Sequence, residues 1–165
     1  MGLVQVDKSI VTSAVTSVAL NGITTDDIYM IAINNFDSGQ NNDNIYLRVN
    51  KSSSAQTDSE YDYSFQNLSC TNAISDRNAS NQDKILLFEN ISAGGGNGIF
   101  YLYSFNSSSE FSYGNSQNVM NISNQNKGAN GGWVHTIASA SNGVTILGTG
   151  TNNLTGQFVL YKVVS

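Results

Sequence analysis

The chain has 165 residues, no proline and one cysteine, and its twelve Asp/Glu against seven Lys/Arg give a net charge of −5. Only 12% of the residues are charged, against a usual ~25%. Cations this few and this scattered weigh against a nucleic-acid partner, which needs clustered Lys and Arg. The apolar runs fall far short of the ~20 residues of a spanning helix, so no membrane partner is expected, and a lone cysteine excludes an intrachain disulfide or a Cys-rich metal framework.

The length suits one domain, residues 1–165, with a single core and with residues 1–10 as an extended N-terminal arm or strand. From Leu3 to Leu20, Val and Ile recur in a Ser/Thr background, which favours strand over helix. The pattern predicts two short strands with a break near Asp7 to Ser9, then a turn at Asn21-Gly22. Ile28 to Ile33 reads as a central strand, with Tyr29, Ile31 and Ile33 on one face and Ile28, Met30 and Ala32 on the other. After the loop Asn34 to Asn44, Ile45, Leu47 and Val49 alternate with Tyr46, Arg48 and Asn50 in a strand with one wet side.

Lys51 to Glu60 is a polar connection, and Tyr61, Tyr63 and Phe65 form one face of the next strand. Gln66 to Lys84, rich in Asn and Ser, reads as a long loop or interface arm. A strand begins at Ile85 to Phe88. Ala93 to Gly98 turns the chain, and Ile99, Tyr101, Tyr103 and Phe105 then alternate with Phe100 and Leu102. Ser107 to Gly132 reads as a second long polar region with one strand near Val119 to Ser123. Trp133 to Ala140 is a strand with Trp133, His135, Ile137 and Ser139 on one side. The last stretch, GVTILGTGTNNLTGQFVLYKV, predicts a hairpin of two apolar arms around a Gly/Thr/Asn turn. Its second arm, Gln157 to Val163, is apolar on both faces, as expected of a strand buried in a sheet or against a partner. Many short strands without an amphipathic helix give an all-β chain: a two-sheet antiparallel β-sandwich, jelly-roll-like, with long polar loops.

Candidate chemistry is sparse. His135 is the only histidine, and its place on a strand between Trp133 and Ile137 favours packing over base catalysis. Asp26 and Asp27 are adjacent on a strand pattern, so they face opposite sides and make no catalytic pair. Asp37, Asn41, Asn42 and Asp43 offer oxygen ligands, but the spacing lacks the EF-hand order and its closing Glu, so a solvated loop is expected. Cys70 reads as a small buried hydrophobe. Ala93 to Gly98 lacks the Gly-Lys-Ser/Thr of a phosphate-binding loop. Asn-x-Ser/Thr triplets such as those at Asn67, Asn78 and Asn106 follow from the abundance of Asn and Ser. Tyr46, Tyr101, Tyr103 and Tyr113 could pack in an interface or stack on sugar rings. No catalytic, cofactor or metal residue is assigned.

The ending, with Gly156 followed by an alternating strand that carries Leu160-Tyr161, resembles the C-terminal hairpin of small jelly-roll virion proteins of tailed bacteriophages, of the capsid decoration or cement kind or the fibre kind. DDIYMIAINNF (Asp26 to Phe36), NIYLRVN (Asn44 to Asn50) and YDYSF (Tyr61 to Phe65) are similar to their strand, "LRV" and "Y-x-Y" series. The ending Lys162-Val163-Val164 departs from their common Tyr-Gly. The resemblance implies a non-enzymatic virion structural protein, made in the host cytoplasm, that decorates the outer surface of the capsid. Its expected partners are itself, as a homotrimer, and the major capsid protein. The alternative is a tail-fibre or head-fibre domain that contacts host surface glycans.

Overall fold

The computed structural model describes residues 2–39, 43–71, 74–91, 95–122, 125–149 and 154–164. They form thirteen strands: β1 (Gly2–Val15), β2 (Ser17–Asn21), β3 (Tyr29–Asp37), β4 (Asp43–Lys51), β5 (Ser54–Ala55), β6 (Tyr61–Ser69), β7 (Ser75–Gln82), β8 (Ile85–Ile91), β9 (Gly96–Tyr103), β10 (Ser112–Ile122), β11 (Gln125–His135), β12 (Gly143–Gly148) and β13 (Leu154–Val164). All pairings are antiparallel, in two packed sheets. One sheet runs β1-β13-β3-β9-β10-β11-β6-β7, and the other runs β2-β12-β4-β5 with β8 also paired to β4.

Eight of these strands make a jelly roll. The order β1-β13-β3-β9 in one sheet against β2-β12-β4-β8 in the other means that the chain changes sheet at nearly every step. The other long strands, β10, β11, β6 and β7, extend the first sheet beyond β9. Alternation decides what fills the space between. Tyr29, Ile31 and Ile33 of β3, Phe100 and Leu102 of β9 and Phe158 and Leu160 of β13 meet Ile45, Leu47 and Val49 of β4 and Val144 and Ile146 of β12, all within one buried cluster. Phe88 of β8 stacks on Phe36 at 5.4 Å and meets Phe100 edge-on at 5.7 Å, so a ring from the second sheet is wedged among rings of the first. Each such fully buried side chain contributes roughly 1.5–3 kcal/mol.

The terminal stretch is not a hairpin. β12 pairs with β2 and β4, whereas β13 pairs with β1 and β3 in the other sheet, so the two apolar arms face each other across the core instead of sharing a ladder. Residues 150–153 of the expected turn lie outside the described residues, as do Asn41 and Asn42 and residues 93 and 94 of the glycine run.

Both supposed long loops are largely strand. Gln66 to Ser69 continues β6, and β7 pairs with it as a polar edge from Tyr61↔Gln82 to Asn67↔Ser75. Ser107 to Gly132 holds β10 and most of β11, paired without a break from Ser112↔His135 to Ile122↔Gln125. Asn, Ser, Gln and Gly have weak strand preference, and here the ladder between neighbours overrides it. At the start, the expected break near Asp7 is a register shift between Gln5 and Asp7 within one long β1, and the chain leaves the sheet only at Thr16. Gly22, with φ +99°, turns the chain as Asn21-Gly22 implied. Strand β11 stops at His135, which leaves Ile137 exposed, and Asn50, expected on a wet side, is fully buried.

Candidate functional site

Strand β11 puts Trp133 and His135 on the core face, and Ser112 of β10 lies directly opposite His135. His135 Nε2 is 3.2 Å from Glu60 Oε2, and the imidazole lies against the Tyr61 ring at 4.9 Å between centroids. Burial pushes the His135 pKa below its ordinary value, partly opposed by Glu60, so the ring is held neutral near pH 7. Burial likewise raises the Tyr61 phenol. Its oxygen accepts the Val49 N–H at 3.2 Å and donates to the Gln56 carbonyl at 3.0 Å.

A serine, a histidine and a glutamate thus share one end of the sandwich, as in acyl-transfer enzymes. The geometry does not serve that chemistry. Ser112 is fully buried, and among the described residues neither its Oγ nor His135 Nδ1 has a hydrogen-bond partner, whereas an activated nucleophile needs a hydrogen-bonded base and access to substrate. The cluster is a polar seam that joins β6, β10 and β11.

The acidic loop expected between Asp37 and Asp43 is also committed to local structure. Asp37 Oδ1 accepts the Gly39 N–H at 2.8 Å. Asp43, 4% exposed, accepts the Thr149 N–H at 3.0 Å and the Thr149 hydroxyl, which ties the start of β4 to the end of β12. Among the described residues no three His, Cys, Asp or Glu side chains gather as metal ligands. Cys70, expected to be buried, is exposed just past β6, because that strand ends one residue earlier.

The tyrosines divide between two surfaces. Tyr46 lies on the five-stranded sheet with Lys84 Nζ 4.8 Å above its ring, a cation–π contact. Tyr101, Tyr103 and Tyr113 belong to the outward face of the eight-stranded sheet, where the register aligns side chains in rows. Leu3 lies opposite Val163, and Tyr103 opposite Tyr113. In the next row Tyr161 and Tyr101 flank Met30, and in the next Val159 and Ile99 flank Ala32. Met30 and Val159 are buried even though they point away from the core. Gly2, Leu3, Met30, Tyr101 and Val163 line a hollow of about 260 Å³, and Asn34, Asn97, Ile99, Gln117 and Val119 line most of another of about 330 Å³.

Beyond β10 the same face turns polar, with Asn130 and Gly132 of β11, Asp62, Ser64 and Gln66 of β6 and Asp76 and Asn78 of β7 in the corresponding positions. Across β1, β13, β3, β9 and β10 the outward side, among the described residues, carries Lys8 and, beyond the register shift at the end of β3, Asp37. Two tyrosines of this surface, Tyr101 and Tyr103, were legible as an aromatic strand. The part supplied by Asn115, Gln117 and Val119 was not, because β10 has no apolar alternation on its outer side. Compared with known proteins, the chain matches no family model and no curated protein.

Proposed function

We propose that this chain is a non-enzymatic structural protein of a bacteriophage virion, a decoration or cement protein that binds the outside of the head shell, as a homotrimer, and bridges neighbouring subunits of the major capsid protein. The observation that carries the reading is the broad outward face of the eight-stranded sheet, apolar and tyrosine-rich on the half formed by β1, β13, β3, β9 and β10 and polar, with amides and the carboxylates Asp62 and Asp76, on the other. Such a surface suits contacts spread over protein neighbours, with apolar packing inside a polar rim. The resemblance of the strand series to small virion proteins supplies the setting. Function would then be mechanical: many weak contacts hold adjacent shell subunits together against internal pressure.

The test is co-sedimentation of the purified protein with undecorated heads, followed by imaging. Saturable binding at repeated positions on the shell supports the reading, and failure to bind heads of the cognate phage ends it. The alternative, a fibre domain that binds host glycans, draws on one specific place. Ser109, Glu110, Phe111 and Tyr113 line a hollow of about 450 Å³, with both rings exposed and Glu110 held by the Ser104 hydroxyl at 3.0 Å. An aromatic face beside a carboxylate suits a sugar ring. Specific retention on a glycan array without head binding would favour it.

A further inference from the structure

We infer that the outward face of β1, β13, β3, β9 and β10 is where copies of this chain meet, an inference that rests on the assembly reading above and names its surface. Three observations select a second copy as the occupant. The first is charge. A chain of net charge −5 repels its own copies, yet the four outward rows that run from Leu3 to Ile10 on β1 and from Tyr113 to Val119 on β10 hold no acidic residue, Asp37 standing beyond the register shift at the end of β3, so identical chains can approach over these rows without opposing carboxylates.

The second is size and anatomy. Five strands about 4.8 Å apart and four outward rows about 6.8 Å apart give a face of about 650 Å², within the range of the ~800 Å² per partner of a standard interface, give or take about 200 Å². This face, with Tyr101 and Ile99 near its middle, and the polar strands β11, β6 and β7 that border it reproduce the apolar centre and polar rim of such contacts.

The third is the contrast between the two edges of the sheet. The β7 edge is exposed and polar, with Asp76, Arg77 and a positive φ at Asn81, features that discourage a further strand. The β1 edge is fourteen residues long, with Leu3 52% and Ile10 64% exposed. Its only charges are Asp7 and Lys8, beside the register shift, and it lies on the side where the apolar face begins.

The experiment is mass measurement by size-exclusion chromatography with light scattering over a dilution series of the full chain. The wild type is expected at a whole multiple of 17.7 kDa, three copies on the proposed reading. Ile99→Asp, and separately Val119→Asp, place an unpaired charge within the face and should weaken association at least about thirtyfold, as at other interface hot spots. Both side chains are exposed, so far-UV circular dichroism should show the fold retained. Asn130→Asp on the polar half should leave the mass unchanged. A monomeric wild type at high concentration, or an assembly that both apolar-half variants leave intact, would overturn the inference. Assembly through this face without shell binding would retire the virion reading and leave the interface standing; a monomer that still decorates shells would do the reverse.

Discussion

Replacing Gly114 by alanine should destabilise the protein, whereas the same change at Gly128 in the partner strand should not. Gly114 lies opposite Trp133, and the indole fills the space its side chain would occupy. A Cβ there would stand 2.2 Å from Cε2 and Cζ2 and 2.6 Å from Nε1. Trp133 is buried and meets Phe105 edge-on at 5.9 Å, so the ring must shift by more than an ångström into occupied space. Overpacking of this kind costs about 1–3 kcal/mol, and outright expulsion of the indole would approach the ~3–5 kcal/mol of a Trp truncation. At Gly128 a Cβ would meet only the Asn118 carbonyl oxygen, at 3.5 Å. There the reduced freedom of the unfolded chain should stabilise by about 0.4–1 kcal/mol. At roughly 2–4 °C per kcal/mol for a chain of this size, Gly114→Ala should melt about 2–12 °C lower and Gly128→Ala about 1–4 °C higher than wild type. Thermal unfolding followed by circular dichroism measures both. The single tryptophan reports locally, with a red-shifted native emission expected in Gly114→Ala alone. Equal melting temperatures with unshifted emission would refute the packing of β10 on β11 described here.

His135 should make stability pH-dependent in the weakly acidic range. Its pKa in the fold lies below the ordinary 6.5, so the unfolded chain takes up the proton first. Stability is full above about pH 6.5 and falls with decreasing pH, by at most about 1.4 kcal/mol per pH unit. Urea unfolding of wild type and His135→Gln between pH 7 and 4.5 should show the slope in the former and a nearly flat profile in the latter. A further loss should set in near pH 3.8, where Asp83 and Asp27 take up protons in the unfolded chain but still resist them in the fold. At Asp83 burial is outweighed by Arg48 and Lys84, and Asp27 is held down by Lys162 and Thr25. Asp43→Ala should cost about 1–3 kcal/mol, because the Thr149 hydroxyl and N–H lose their carboxylate acceptor and the N–H keeps only the Asn44 carbonyl, while Asp43→Asn, which keeps a carbonyl oxygen there, should recover much of it by urea midpoint. Cys70 should react with a maleimide in the native protein without denaturant, and the labelled protein should melt at the wild-type temperature; a need for denaturant would place the thiol inside.

Apolar alternation reported the core faithfully wherever a strand has one buried and one open face. Ile45, Leu47 and Val49 are fully buried, and Tyr46 and Arg48 are not. The same signal was silent for β7, for β10 ahead of the strand read near Val119 and for much of β11, whose side chains are mostly small, polar or missing. These strands exist because their backbones complete ladders and because glycines admit close neighbours: at Gly131 a Cβ would lie 2.3 Å from Phe65 Cβ. Such a requirement belongs to the pair of strands and cannot be read from either one. Partner choice was equally hidden. Val144 to Leu147 and Gln157 to Val163 read as neighbours because a short turn-rich segment joins them, but a jelly roll sends successive strands to opposite sheets.

The reading of β13 as apolar on both sides leads furthest. Phe158 and Leu160 supply the core, which accounts for one side. On the other side stand Val159, Tyr161 and Val163, and in the adjacent strand Met30 repeats the pattern. A strand open to solvent on its outer face gains nothing from these residues, since each exposed apolar side chain forgoes the stabilisation that burial supplies. Val159 and Met30 already lie beneath their neighbours, while Leu3 and Ile99 around them remain open, so the covering of this face is begun within the chain and left incomplete. Charging the rim of this patch therefore discriminates. If the apolar outer face served only the monomer, Ile99→Asp would change the melting temperature by a few tenths of a kcal/mol's worth, as exposed substitutions do, and leave the mass alone. If the face is completed by another copy, the same substitution should divide the assembly while the secondary structure persists.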